Sequence, residues 1–161
     1  MKLYLAGPDV FRPDASTWAR QVRELCRAAG HEAVIPLEGD MPATAAAIYR
    51  SNLHCIAEAD AVLANLNPFR GAEPDSGTCV EIGYALALGK PVIGYADDLR
   101  PLRERLQAFA PDDDGRYRDA AGYVVEDFGL PLNLMLAVPL QMVQGGIDAA
   151  LIELQYKRGS T

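Results

Sequence analysis

Residues 61–84 read AVLANLNPFRGAEPDSGTCVEIGY, and this stretch decides the fold. The apolar run from Ala61 to Leu66 is typical of a buried β-strand, and it breaks into a turn-rich loop that ends at Thr78. A helical pattern follows, with Glu81 in its first turn and Asp75 just before it. Carboxylates at such a strand–loop–helix junction lie where α/β proteins usually hold small ligands. The stretch therefore predicts one strand–helix unit with a candidate site at its junction.

The rest of the chain continues this alternation of strands and helices. Upstream, the pattern predicts strands at 2–6 and 33–35 and helices at 14–29 and 42–58. Downstream, it predicts helices at 78–88, 102–109, 131–143 and 147–156, and strands at 91–95 and 123–125.

Strands that alternate with helices across short loops form a parallel sheet covered by helices on both faces. We therefore expect one α/β domain, residues 1–161, with a flavodoxin-like, doubly wound sheet of five parallel strands in the order 2-1-3-4-5. In this order the connection reverses between strands one and three. Ligands bind beyond the carboxyl ends of the strands at that point, where residues 7–11 and 65–78 emerge.

Charge and composition restrict the class of ligand. The chain has 161 residues, a net charge of −7 and a pI of about 4.8, so an extended phosphate backbone would be repelled. A small neutral or cationic ligand is expected rather than a nucleic acid or an anionic membrane. No apolar run reaches the roughly 20 residues that span a bilayer, and from the pattern of the first residues we expect no secretory signal.

The cysteines and histidines give no sign of a metal or redox site. Cys26, Cys55 and Cys79 match neither a disulfide framework nor a CxxC metal site, which favours the reducing cytoplasm. No cluster has metal-ligand spacing, and GxGxxG and P-loop motifs are absent, so we expect no metal, dinucleotide or triphosphate cofactor. His31 and His54 stand alone and are expected on the surface.

Glu81 and Asp75 each have a structural and a functional interpretation. Thr78 and Glu81 match the S/T-x-x-E capping box, in which Thr78 caps the helix and Glu81 bonds back to its amide. A helix N-terminus also favours an ionised carboxylate, as a nucleophile requires. Asp75 lies in a Pro-Asp-Ser-Gly turn, but a second carboxylate near the first can hold a proton at neutral pH and deliver it to a leaving group.

Three segments together resemble the nucleoside 2-deoxyribosyltransferase family: Tyr4-Leu5-Ala6-Gly7-Pro8, residues 65–84, and Pro131-Leu132-Asn133-Leu134-Met135. The resemblance extends over nearly the whole chain. It implies that Glu81 is the nucleophile and that Asp75 assists the departing base. It also implies that Tyr4, otherwise a core aromatic, hydrogen-bonds Glu81 and positions it.

The same resemblance implies a set of substrate-binding residues. Asn52, otherwise an exposed helical residue, stands where many members have Asp, which favours hydrogen bonding over an acid role. Asn133, otherwise an early-helix polar residue, would enter the neighbouring subunit's pocket and bind the sugar 5′-hydroxyl. Phe11, otherwise a core aromatic, would lie against the base. Asp40 would touch the base edge in this interpretation, although a helix cap is the favoured role. Gly7 and Met135, within the matching motifs, complete the set.

The implied reaction is transfer of a 2-deoxyribosyl group between purine or pyrimidine bases through a covalent ester on Glu81, with hydrolysis as a side reaction and no cofactor. The partners would be deoxynucleosides, free nucleobases and further copies of the chain. Residues 130–143 are apolar almost all round, which predicts a helix buried against another subunit of a homodimer or hexamer.

Two alternatives stay open. One is a nucleoside 5′-monophosphate N-glycosidase, a class that binds phosphate with serines where this chain has Asp75 and Asn133. The other is a non-catalytic nucleoside- or nucleotide-binding regulator.

Overall fold

A computed structural model describes residues 1–36, 44–108 and 110–159. Its strands are β1 (Lys2–Ala6), β2 (Glu32–Val34), β3 (Ala61–Asn65), β4 (Val92–Ala96) and β5 (Gln141–Gln144). They form one sheet in the order β2-β1-β3-β4-β5, and every neighbouring pair is parallel. The predicted doubly wound α/β fold is confirmed.

Helices cover both faces of this sheet. They are α1 (Ala15–Ala28), α2 (Ala45–Glu58), α3 (Ser76–Ala87), α4 (Leu102–Arg105), α5 (Leu134–Ala137) and α6 (Ile147–Gly159). α1 and α6 bury one face of the sheet, which includes Leu3 and Leu5. α2 and α3 bury the other, which includes Tyr4. Because side chains alternate along a strand, Tyr4 points toward the helix that carries Glu81.

The fifth strand lies at Gln141–Gln144, so the prediction of a strand at 123–125 is wrong. β5 pairs with β4, with Gln141 opposite Ile93, whereas Val124 makes only an isolated antiparallel bridge with Arg118. Pairing with β4 supplies the backbone hydrogen bonds that decide the conformation of these residues, and local periodicity does not contain that information.

The predicted helix at 131–143 is also wrong, because only α5 within it is helical. Leu132, Ala137 and Leu140 are buried beside α2 and α3 in the chain's own core. The apolar character of this segment therefore reflects packing within the chain, and the argument for a subunit interface from an all-round apolar helix fails. Met135 and Val138 nevertheless stay 74% and 70% exposed.

Smaller differences concern element ends and one histidine. α2 begins at Ala45 with Thr44 as its N-cap, and α4 ends at Arg105, while Asp40 and residue 109 lie outside the described residues.

His31 is buried rather than exposed. Gly30 follows the end of α1 with φ 79°, and the amide of His31 then donates to Cys26 O at 2.8 Å. This turn folds the histidine under the helix end.

His54 is exposed as expected. Within the described ranges, no helix combines the length and apolar character needed to cross a membrane.

Candidate active site

Glu81 lies on α3, and the start of that helix excludes the capping-box interpretation. Asp75, not Thr78, is the N-cap: its Oδ2 accepts from the Thr78 amide at 2.9 Å and from Thr78 Oγ1 at 3.0 Å. The helix begins at Ser76, two residues earlier than predicted, so Glu81 is in the second turn and not the first. Glu81 therefore has no capping role, and its carboxylate turns to the interior.

Two hydrogen bonds converge on one oxygen of the Glu81 carboxylate. Tyr4 Oη donates to Oε1 at 2.7 Å, and Asn52 Nδ2 donates to the same atom at 3.3 Å. Among the described residues, no group donates a hydrogen bond to the other oxygen, Oε2. The carboxylate is thus held through one atom while the second keeps its lone pairs for a ligand.

Burial raises the pKa of Glu81 above the usual value of a carboxyl group. The hydrogen bonds from Tyr4 and Asn52 oppose this increase, and the negative charge of Asp75 adds to it. A second carboxylate close to the first has this effect, because two like charges disfavour the ionised form. The site thus combines a desolvated carboxylate with donors that favour its ionised form.

Rigid elements hold the two donors. Tyr4 lies in the interior strand β1 with no exposed surface. Burial, followed by the Glu81 charge, raises the pKa of its phenol, so it stays a proton donor. Asn52 is carried by α2, whose last turn is fixed by Lys90: Nζ donates at 2.6 Å to both Ala57 O and Ala59 O. A cation at a helix C-terminus also interacts favourably with the helix dipole.

Gly7 brings the end of β1 close to the end of β3. A Cβ at this position would lie 2.8 Å from the Cβ of Asn65, so any other residue would push the two segments apart. Directly beyond it, Asp9 is 7% exposed and accepts from Asn65 Nδ2 at 2.7 Å. Gly7 therefore shapes the edge of the site. Among the described residues, the atoms that a Cβ at Gly7 would meet belong to Asn65 and Asp9, and not to Tyr4, Asn52 or Glu81.

A row of side chains continues across the carboxyl edge of the sheet. Asn65 Oδ1 accepts from Asn67 Nδ2 at 3.0 Å, and Asn67 Oδ1 accepts from the Asp97 amide at 2.9 Å. We call Asp9, Asn65, Asn67 and Asp97 the edge frame. The sequence analysis missed these residues, although polar residues directly after β1 and β3 are the signal that could have found them.

Phe11 forms an aromatic shelf with a residue that the sequence analysis did not select. Its ring stacks on Phe69 with centroids 5.5 Å apart and an interplanar angle of 15°. The Arg70 guanidinium lies 4.6 Å from the Phe69 centroid and 5.1 Å from that of Phe11. Phe11 is 57% exposed, so this shelf offers a flat apolar surface to a planar ligand.

Asn133 and Met135 are not brought to Glu81 by their own chain. Asn133 is the N-cap of α5, where Oδ1 accepts from the Met135 amide at 3.0 Å and Nδ2 donates to Glu126 Oε1 at 2.7 Å. It lines a cleft of about 360 Å³ together with Glu73 and Glu126. Glu126 was missed, because nothing in its local sequence marks the contact.

The chain is similar to several known proteins. The sequence profile described as nucleoside 2-deoxyribosyltransferase matches residues 3–135. A 2-desoxiribosyltransferase from Leishmania mexicana is 35% identical with a TM-score of 0.80, covering 96% of this chain and 97% of that chain. A 2-deoxyribosyltransferase from Bacillus psychrosaccharolyticus shares the fold at 22% identity and a TM-score of 0.51, covering 69% and 84%.

An uncharacterised protein of Schizosaccharomyces pombe is 32% identical over 175 residues, which is 95% of this chain and 82% of that protein. The profile match spans most of the chain, and the similarity to the Leishmania mexicana enzyme spans nearly all of it. On these grounds the chain belongs to the nucleoside 2-deoxyribosyltransferase family.

Proposed function

We propose that the protein transfers a 2-deoxyribosyl group from one nucleobase to another through a covalent ester on Glu81. The observation that carries this proposal is the Glu81 carboxylate itself, half-buried and held at Oε1 by Tyr4 and Asn52. A carboxylate that is positioned through one oxygen has the other oriented for attack.

In the first half-reaction, Glu81 Oε2 attacks the anomeric carbon of the bound deoxynucleoside. The bond from this carbon to the base nitrogen breaks, and the base leaves with the electron pair and a proton supplied by Asp75 or a water it holds. Charge on the sugar is oxocarbenium-like at the transition state, and the anionic carboxylate stabilises it.

In the second half-reaction, a nitrogen of the entering base attacks the same carbon and expels the Glu81 carboxylate. The entering base gives its proton back to Asp75. Two inversions yield net retention of configuration. When water replaces the entering base, the result is hydrolysis. Nothing in these steps requires a cofactor.

Unphosphorylated nucleosides are the proposed substrates. Asp75 lies at one end of the site, and Glu126 accepts a hydrogen bond from Asn133. Carboxylates at these places would repel a phosphate dianion, which disfavours nucleoside 5′-monophosphates.

The decisive assay incubates the protein with deoxyinosine plus cytosine and, separately, with deoxyinosine alone. Deoxycytidine in the first mixture marks a transferase, and hypoxanthine from both at equal rates marks a glycosidase. The mass of the intact protein with deoxyinosine alone should increase by one deoxyribosyl group. A regulator would give neither product nor adduct.

Replacing Tyr4 by Phe should slow transfer by about 10- to 100-fold, because Glu81 loses its shorter hydrogen bond and its orientation. That hydrogen bond lowers the pKa of Glu81, so its loss raises the pKa further. The acidic limb of the pH–rate profile should therefore move to higher pH. A profile of kcat/KM against pH checks this, with Tyr49→Phe on the exposed side of α2 as control. An unmoved acidic limb would contradict the assigned contact.

We also propose that the protein works as a homodimer or hexamer in which Asn133 serves a neighbour's site. Met135, Val138 and Phe128 are exposed around it, and such apolar surface is typical of an interface. Glu81→Ala should be inactive alone, and Asn133→Ala should be weak but measurable. If the two variants are dissociated and reassembled in equal amounts, roughly a quarter of the sites should carry neither defect.

The measurement is transferase activity after reassembly, with each variant reassembled alone as its control. Native mass spectrometry establishes that mixed oligomers have formed. Mixed oligomers without recovered activity would show that Asn133 does not act in a neighbour's site.

A further inference from the structure

Glu126 makes two hydrogen bonds that meet at the start of α5. Oε1 accepts from Asn133 Nδ2 at 2.7 Å, and Oε2 accepts from the Leu134 amide at 2.9 Å. Both oxygens of one half-buried carboxylate are thus directed at consecutive residues. A carboxylate that receives two donors in this way is a strong and directional acceptor.

These contacts fix which way the Asn133 amide faces. Its Oδ1 accepts from the Met135 amide at 3.0 Å, so the oxygen must face the helix. An ionised carboxylate can only accept, so the nitrogen must face Glu126. One N–H of Nδ2 and one lone pair of Oδ1 have no hydrogen-bond partner among the described residues and are left for a ligand.

Removal of Glu126 would cost α5 the acceptor of its Leu134 amide, but not the cap that Asn133 provides. The Met135 amide still caps α5 through Asn133 Oδ1 when Glu126 is removed. The nitrogen side of the amide would then lose its only described partner. Glu126 therefore contributes to the orientation of Asn133 beyond what the cap achieves.

We propose that Glu126 is a positioning residue that orients the Asn133 amide to read the 5′-hydroxyl of the deoxynucleoside, an inference that rests on the proposed transferase function. The free N–H and the free lone pair match the acceptor and donor of a hydroxyl group. In the proposed oligomer the amide would serve the site of a neighbouring subunit, and Glu126 of its own chain would orient it there.

The test compares two donors, 2′-deoxyinosine and 2′,5′-dideoxyinosine, with cytosine as the acceptor. The readout is the ratio of their kcat/KM values, which reports recognition of the 5′-hydroxyl and not overall activity. The wild-type protein should prefer the hydroxyl-bearing donor by about tenfold or more, the usual loss for one buried hydrogen bond. Asn133→Ala should bring the ratio close to one.

Glu126→Ala should reduce the ratio about as far as Asn133→Ala does, and the double variant should show no further reduction. Glu126→Gln keeps the size of the side chain and protects the test against a folding defect. Because Gln can accept through one oxygen only, the ratio of Glu126→Gln should lie between those of the wild-type protein and Glu126→Ala. The control is Asp127→Asn, the neighbouring carboxylate, which pairs with Arg103 at 2.8 Å and should leave the ratio unchanged.

Glu126 variants that lose activity equally on both donors, at an unchanged ratio, would overturn the proposal and leave Glu126 a structural residue. An unchanged ratio in Asn133→Ala would overturn it as well. A wild-type protein that forms no deoxycytidine from deoxyinosine would instead overturn the transferase function, so the two failures are distinguishable.

Discussion

Replacing Glu81 by Gln should lower the rate of deoxyribosyl transfer by several orders of magnitude. An amide is too weak a nucleophile to form the ester, so the covalent route disappears. Gln keeps an oxygen that accepts from Tyr4 and Asn52, so the surroundings of the side chain should persist. The assay is formation of deoxycytidine from deoxyinosine and cytosine, together with the mass of the intact protein, which should show no adduct.

The same variant should unfold at an equal or higher temperature at pH 7. Burial raises the folded-state pKa of Glu81 above its unfolded value, so the contribution of this group to stability is complete only below the unfolded pKa. The contribution is lost as the pH rises through the folded pKa, and an amide avoids this loss. Glu24→Gln, an exposed carboxylate on α1, is the matched control and should retain full activity. Near-normal turnover in Glu81→Gln would contradict the covalent mechanism.

Replacing Asp75 by Asn should slow the chemical step by roughly 10²- to 10⁴-fold, the usual contribution of a general acid. Asp75 is also the N-cap of α3, but Asn caps a helix as well as Asp does, so stability should change little. This separation of the two roles makes the variant informative. Asp148→Asn, in the first turn of α6, is the control for loss of a carboxylate at a helix start.

The loss in Asp75→Asn should depend on the departing base. Donors whose base leaves readily without a proton should suffer less than donors that require protonation. Single-turnover rates with a series of deoxynucleosides of differing base acidity measure this dependence. An equal loss across the series would argue against an acid role for Asp75.

The fold was predictable where one local pattern dominated. β1, β3 and β4 are apolar runs that end at turns, and each is followed or preceded by a helix with a recognisable end, so their order could be predicted. β5 was not predictable in this way. Its Met142 and Val143 continue an apolar segment, and only pairing with β4 selects an extended conformation for them.

The residues of the candidate site also differ in whether a local pattern could predict them. Tyr4, Asp75 and Glu81 belong to motifs with a characteristic spacing, and Tyr4 does contact Glu81 across 77 positions of sequence. Asp9 and Glu126 are defined by their partners, Asn65 and Asn133, and those contacts exist only once the strands and loops are assembled. No spacing of residues in the sequence predicts contacts between side chains that only the assembled fold brings together. The roles of all these residues in turnover stay predictions until the variants are measured.

The edge frame bears on what happens between the two half-reactions. In a double displacement the departing base must diffuse away before the next one enters, so the base subsite stands vacant beside a covalent sugar. A wall of separate loops could collapse into that space. Here Asn65 and Asn67 link the ends of β1, β3 and β4 through side-chain amides, which extends the connection between strands beyond their backbone ladder. In the proposed double displacement, we expect these links to hold the loop ends apart while the base subsite is empty, so the affinity of that subsite for a planar ring would decide between an entering base and water.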